Sequence, residues 1–215
     1  MSDTGKGIKI GVLVSGGGTN LQAIIDSCES GYIPGRVVVV ISNRKDAYAL
    51  ERAKKHNIPA LFINPKDYRN LDEYSEKIAE ELIKKEVDLV CLAGFLLKLS
   101  PEFVRKFKNR IMNIHPALLP SFGGPGMYGH HVHEAVIKSG VKITGCTVHF
   151  VDEEYDHGPI ILQKAVEVKD DDTPEKLAER VLKEEHKIYP EAIKLFAEKK
   201  LEIIDGKVVK KTGRT

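Results

Sequence analysis

The apolar positions of this chain change period several times, and the changes mark its elements. Ile8 to Val14 is a nearly continuous apolar run, the pattern of a strand buried on both faces. Ser15-Gly16-Gly17-Gly18-Thr19-Asn20 leads from it into the helical pattern Leu21-Gln22-Ala23-Ile24-Ile25. The alternation then repeats: Val37 to Ile41 reads as a strand, Ala47 to His56 as a helix, Ala60 to Ile63 as a strand, Leu71 to Lys85 as a helix and Leu89 to Leu92 as a strand. Short strands separated by amphipathic helices are βαβ units, which predicts an α/β fold with a mostly parallel sheet and helices on both faces. Ser100-Pro101-Glu102 supplies an N-cap and first turn for a short helix ending near Phe107. A further strand, Ile111 to His115, stops at Pro116, which has no N–H to continue a ladder.

Beyond this point the pattern changes to strict alternation. Thr144 to Phe150 reads as a strand, and Ile160 to Val168 as its antiparallel partner, which gives the sheet an antiparallel edge towards the C-terminus. Thr173-Pro174-Glu175 opens a long helix that Tyr189-Pro190 restricts and that continues toward Lys200. Leu201 to Val209 reads as a small hairpin turning at Asp205-Gly206, and Lys210 to Thr215 as a basic tail.

Composition narrows the class of protein without choosing the ligand. The 215 residues fit one domain spanning 1–215, with no repeat or linker, and a second folded domain is not expected. Acids and bases nearly balance, 31 against 33, so nothing in the total points to a nucleic-acid or membrane partner. Cys28, Cys91 and Cys146 are far apart with no CxxC spacing and read as reduced core thiols of a cytoplasmic protein. Met1 to Lys6 carries no apolar signal region, and no apolar run approaches the length of a membrane span.

Three stretches carry candidate chemistry. In the first, the glycines after Ile8 to Val14 let the backbone approach an anion, and the following helix start, with Thr19 and Asn20, supplies donors for a phosphate. The three-glycine spacing of a dinucleotide site fails because its third position falls on Leu21. The Lys-Ser/Thr ending of a phosphate loop is missing as well, so a monophosphate fits better. In the second, Asn113 and His115 share one face of their strand. An amide donor for a developing oxyanion and a group that moves protons near neutral pH form a minimal kit for acyl or formyl transfer, although a polar strand end accounts for the pair equally well. In the third, the acidic loop from Val151 to Pro159 offers His115 a partner; Asp156, next to the His157-Gly158-Pro159 turn, is preferred over the solvated run Asp152-Glu153-Glu154. His130, His131 and His133 sit in a Gly-rich stretch from Ser121, but their spacing does not converge on one ion, and no metal is expected.

Ser15 to Leu21, Ala93-Gly94-Phe95, Asn113-Ile114-His115-Pro116 and Asp156-His157-Gly158-Pro159, taken in this order, resemble the phosphoribosylglycinamide formyltransferases over nearly the whole chain, from about Lys9 to Pro190. The resemblance implies a Rossmann-like formyltransferase fold. It implies transfer of the formyl group of 10-formyltetrahydrofolate, a co-substrate, to the amine of glycinamide ribonucleotide in purine biosynthesis. It also implies a catalytic set of Asn113, His115 and Asp156, with His149 and Thr147 in support. The amine substrate's phosphate and ribose would be held by Gly17, Gly18, Thr19, Asn20 and Glu185. The folate would meet Leu92, Leu96, Leu97, Lys98, Leu99, Phe103, Val104 and Ile111, together with the loop residues Asp152, Glu153, Glu154 and Tyr155. Two positions depart from the family pattern: many members have Arg where this chain has Leu97, and some have Lys where it has Leu182, with Lys183 beside it. The expected partners are the two small-molecule substrates, with neither nucleic acid nor membrane among them and a homodimer left open.

Overall fold

A computed structural model describes residues 7–211, so the polar segment Met1 to Lys6 and the last four residues of the expected basic tail lie outside the described residues. The described residues divide between Met112 and Asn113 into two compact units.

In the first unit β1 (Ile8–Val14), α1 (Thr19–Glu29), β2 (Gly35–Ser42), α2 (Tyr48–Lys55), β3 (Ala60–Phe62), α3 (Leu71–Lys84), β4 (Leu89–Leu92) and α4 (Pro101–Lys106) follow one another. Pairing of β1 with β2, β1 with β4, and β2 with β3 is parallel throughout. The strands are buried because their sequences are apolar on both faces: Ile10, Val12, Leu13, Val39, Val40, Ile41, Leu89, Val90 and Cys91 are all fully enclosed. At Gly11 a Cβ would lie 2.5 Å from a methyl of Leu82, so the missing side chain is what lets α3 lie close on β1. The ends of α3 and α4 are fixed by side-chain caps, Asn70 accepting from Glu73 N–H and Ser100 from Phe103 N–H.

The second unit holds α5 (His130–Ser139), β6 (Ile143–Phe150), β7 (Ile160–Glu167), α6 (Pro174–Ala197) and the hairpin β8 (Leu201–Ile204) with β9 (Lys207–Lys210). The unit boundary falls inside β5 (Ile111–His115), and the strand order of the seven-stranded sheet is β3-β2-β1-β4-β5-β6-β7. β6 and β7 are antiparallel, as the alternating pattern predicts, with a register shift between Val148 and His149. α6 is a single helix that runs through Pro190 and buries a stripe of Leu177, Val181, Glu185, Ile188, Tyr189, Ala192 and Ile193.

One element departs from its expected limits. The sequence opens the helix at His133-Glu134-Ala135-Val136, yet α5 begins at His130, so all three histidines belong to the first turns of a helix. Apolar periodicity cannot reveal that start because His130 and His131 are exposed. Gly129, at φ 53°, ends the preceding loop, and an i,i+4 pair between His130 Nε2 and Glu134 at 3.1 Å supports the first turn.

Candidate active site

The glycine turn lies in the first unit. Gly18, at φ 73°, is the N-cap of α1, with no side-chain cap, and its carbonyl accepts the first helical bond from Gln22 N–H at 2.9 Å. A side chain at Gly18 would be strained and would meet Ala49 Cβ at 2.6 Å, whereas nothing lies within 4 Å of a Cβ placed on Gly16 or Gly17. Thus Gly18 serves the packing of α1 on α2, and Gly16 and Gly17 leave open space. Ser15 ties the turn to the strand end of β4: its hydroxyl donates to Asn43 Oδ1 at 2.6 Å and accepts from Leu96 N–H at 2.9 Å, and its N–H donates to the Gly94 carbonyl at 3.1 Å. Thr19 is the first residue of α1 and Asn20 is buried within it. Of the expected folate wall in this unit, Leu92, Leu99, Phe103, Val104 and Ile111 are buried, Leu96 is 48 % exposed, Lys98 is exposed and Leu97 is partly covered. Leu92, Leu99, Phe103, Val104 and Ile111 are therefore core residues, and Leu96 and Lys98 stand on the surface.

The acid-base cluster lies wholly in the second unit. On β5, period two puts Asn113 and His115 on one face, and His115 is buried at 3 % exposure. A carbonyl oxygen can only accept, so the 2.8 Å contact between His115 Nε2 and the Phe122 carbonyl places a proton on Nε2. Its other nitrogen, Nδ1, stands 3.6 Å from Asp156 Oδ1. The same reasoning puts the proton of His149 on Nδ1, which donates to the Phe150 carbonyl at 2.9 Å, so its Nε2 accepts from the Asn113 amide at 3.1 Å. Burial pushes the His149 pKa down, against the pull of the Phe150 carbonyl and Asp156, which keeps the ring neutral and able to accept. Asp156 Oδ1 lies 3.8 Å from His149 Nε2, and its Oδ2 accepts from Gly124 N–H at 2.9 Å. One carboxylate therefore faces both histidines.

Asp156 is placed by a closed loop. It adopts φ 51°, a conformation that short polar side chains tolerate. Asp152 closes the loop around it, accepting from Glu154 N–H at 2.9 Å and pairing with His157 Nδ1 at 2.6 Å, and that pairing raises the His157 pKa. A Cβ at Gly158 would overlap the Phe150 carbonyl oxygen, so glycine is required where the loop rejoins β7. A cavity of about 270 Å³ opens here, lined by Leu119, Gly124, Glu154, Tyr155 and Asp156 among others. That volume suits a fused ring or a small substituted amine, and is below that of most pockets that enclose a whole drug-sized molecule. Glu153 is exposed beside it.

Thr147 supports the cluster through the backbone rather than through His115. Its hydroxyl donates to the Ala117 carbonyl at 2.7 Å and accepts from Leu119 N–H and Gln163 Nε2, each at 3.0 Å, clamping the chain just after β5. Glu185 is buried on α6, while Lys183, two positions earlier, lies on the opposite, exposed face. Among the described residues no group of three or more His, Cys, Asp and Glu is placed to hold a metal ion; His130 and His131 pair with Glu134 instead. Sequence reasoning missed the Phe122 carbonyl, Gly124 N–H and Gln163. Only Gly124, within a Gly-rich stretch, carried any signal.

Comparison with known proteins places the chain in a family. The family model described as formyl transferase matches residues 8–193. The chain belongs to the formyl transferase family. It is 46 % identical over 195 residues to the chloroplastic phosphoribosylglycinamide formyltransferase of Arabidopsis thaliana, covering 90 % of this chain and 66 % of that protein. It is 43 % identical over 211 residues to the phosphoribosylglycinamide formyltransferase of Haemophilus influenzae, covering 95 % of this chain and 97 % of that one. The crystal structure of glycinamide ribonucleotide transformylase 1 from Symbiobacterium toebii matches with a TM-score of 0.91 and 49 % identity, over 97 % of this chain and 99 % of that one. The chain thus spans just under two thirds of the length of the Arabidopsis relative and nearly all of the other two. The resemblance read from the sequence, the enzyme class and the mostly parallel α/β sheet are borne out. No helix among the described residues is long and apolar enough to cross a membrane.

Proposed function

We propose that this chain transfers the formyl group of 10-formyltetrahydrofolate to the amine of glycinamide ribonucleotide, a step of purine biosynthesis. The observation that carries this reading is the Asp156 carboxylate facing His115 and His149 while Asn113 is held by neutral His149. The amine attacks the formyl carbon directly, forming a C–N bond and a tetrahedral oxyanion; the bond to the folate nitrogen then breaks, and that nitrogen takes up one proton as the amine gives one up. Asn113, with one amide proton donated to His149, has a second to offer the oxyanion. His115 in its cationic form stabilises the same charge, and Asp156 balances that cation and takes the amine's proton through a water. Direct attack needs no enzyme nucleophile.

The remaining assignments follow from the same reading. Gly17 and Gly18 with the start of α1 at Thr19 and Asn20 bind the ribonucleotide's phosphate, and Glu185 its ribose. Leu92, Leu96 to Leu99, Phe103, Val104 and Ile111 are assigned to the folate, as are Asp152 to Tyr155. Cys28, Cys91 and Cys146 form no disulfide, which fits the reducing interior of a cell, and we assign the protein to the cytoplasm. The test is incubation with both substrates followed by mass spectrometry. A ribonucleotide heavier by one formyl group, formed only when both substrates are present, supports the proposal; formate released without any formylated amine would overturn it.

A further inference from the structure

Two carbonyls of the glycine turn point the same way. The Gly16 carbonyl accepts from Ala49 N–H at 3.1 Å, and the Gly17 carbonyl accepts from Arg52 Nε at 2.8 Å, both donors belonging to α2. In a trans peptide the C=O and the following N–H point in opposite directions. The bonds to α2 therefore turn the N–H groups of Gly17 and Gly18 away from α2. Nothing lies within 4 Å of a Cβ built at Gly16 or Gly17, so the flank of the turn is open. Consecutive N–H groups aimed into open space make an anion-binding concavity.

Of the two anchors, the one to Ala49 is backbone and holds for any residue there; the one to Gly17 depends on a side chain. Arg52 is itself fixed. Its Nη1 donates to Gln22 Oε1 at 3.2 Å, and its guanidinium lies 5.0 Å from the centre of the Tyr48 ring. A planar fork held at two points and stacked on a ring keeps Nε in one orientation, which a lysine cannot reproduce.

We infer that Arg52 is a positioning residue for the ribonucleotide's phosphate, fixing the Gly17–Gly18 peptide so that Gly18 N–H meets the anion. This rests on the proposed binding of that phosphate at the glycine turn, and it adds a side chain that the sequence motif does not contain. Arg52 acts through the backbone and does not touch the reacting atoms.

The test measures binding of glycinamide ribonucleotide, and of the same compound without its phosphate, to the full chain and to Arg52→Met, Arg52→Lys and Gly17→Val. Arg52→Met weakens ribonucleotide binding by about tenfold or more, leaves folate affinity and saturating kcat within about twofold, and has no effect on the phosphate-free compound. Arg52→Lys stays weakened, because it keeps the charge and loses the fork; this variant alone carries the test if the methionine variant does not fold. Full affinity in Arg52→Lys, or equal losses with and without the phosphate, would overturn the inference. Weakened binding in Gly17→Val with none in the Arg52 variants would overturn it while leaving the phosphate assignment standing. Unchanged binding in Gly17→Val would overturn both.

Discussion

The glycine turn at residues 15–20 and the cluster around Asp156 are built from opposite materials. The turn presents backbone: its carbonyls are held by α2, its one position at positive φ is Gly18, and its ligand would meet main-chain N–H groups. The cluster presents side chains from three segments, β5, the end of β6 and the 151–159 loop, with a single carboxylate at its centre. Backbone donors carry no charge to titrate, so they suit binding. A carboxylate between two imidazoles can move protons, so it suits chemistry. Affinity should therefore fail when the turn is altered, and rate when the cluster is.

The largest effect expected from this division is at Asp156. Replacement by Asn keeps size and one acceptor and removes the charge, so kcat should fall roughly 100- to 10,000-fold while both Michaelis constants stay near normal. Steady-state kinetics with each substrate varied checks this, and near-normal kcat would hand the role to Asp152, Glu153 or Glu154. Gly158→Ala comes next. Its Cβ would collide with the Phe150 carbonyl, and the strain should cost on the order of 2–4 kcal/mol in urea unfolding and displace the loop that carries Asp156. By contrast Gly17→Val meets open space, so stability should hold to within about 0.5 kcal/mol while the ribonucleotide binds roughly tenfold or more weakly in calorimetry. A loss of stability there would mean that the turn is as tightly packed as the loop.

A smaller effect depends on pH and lies on α5, in the cluster's own unit. His133, buried in α5, has its pKa pushed down to about 4, chiefly by burial and then by His130 and His115. Unfolding frees it to bind a proton at an ordinary value near 6.5. Between those values the unfolded chain holds the extra proton, so stability is present above pH 6.5 and is lost as pH falls toward 4, by about 1–3 kcal/mol. Urea midpoints of the wild type and His133→Leu at pH 7 and pH 5 check it: the wild type should lose more than the variant, and parallel losses would contradict the assignment.

The same contrast explains what could be read from the sequence. Ile8–Val14, Leu89–Leu92 and the caps at Ser100 and Thr173 are local patterns of period, proline and hydroxyl, and the structure has them where the pattern puts them. The glycine turn is equally local, although composition could not tell that Gly18 is needed for packing on Ala49 while Gly17 is not. The cluster is another matter. Strand alternation joins Asn113 to His115, but no spacing predicts that His149 turns its acceptor nitrogen to Asn113, or that the Phe122 carbonyl and Gly124 N–H orient His115 and Asp156. Those contacts depend on how β6 and two loops fold back. The residues themselves offered Asp156 to His115; only the family resemblance added His149, and it names side chains, never carbonyls.

The most direct test of this division is the Gly17→Val, Asp156→Asn double variant, measured for kcat and for the Michaelis constant of glycinamide ribonucleotide against both single variants. If backbone supplies affinity and the carboxylate supplies rate, the double variant inherits the raised Michaelis constant of one and the lowered kcat of the other, and the two losses add to within about 0.5 kcal/mol. A double variant no worse than Asp156→Asn alone, or an Asp156→Asn enzyme that turns over normally once the ribonucleotide is saturating, would contradict it.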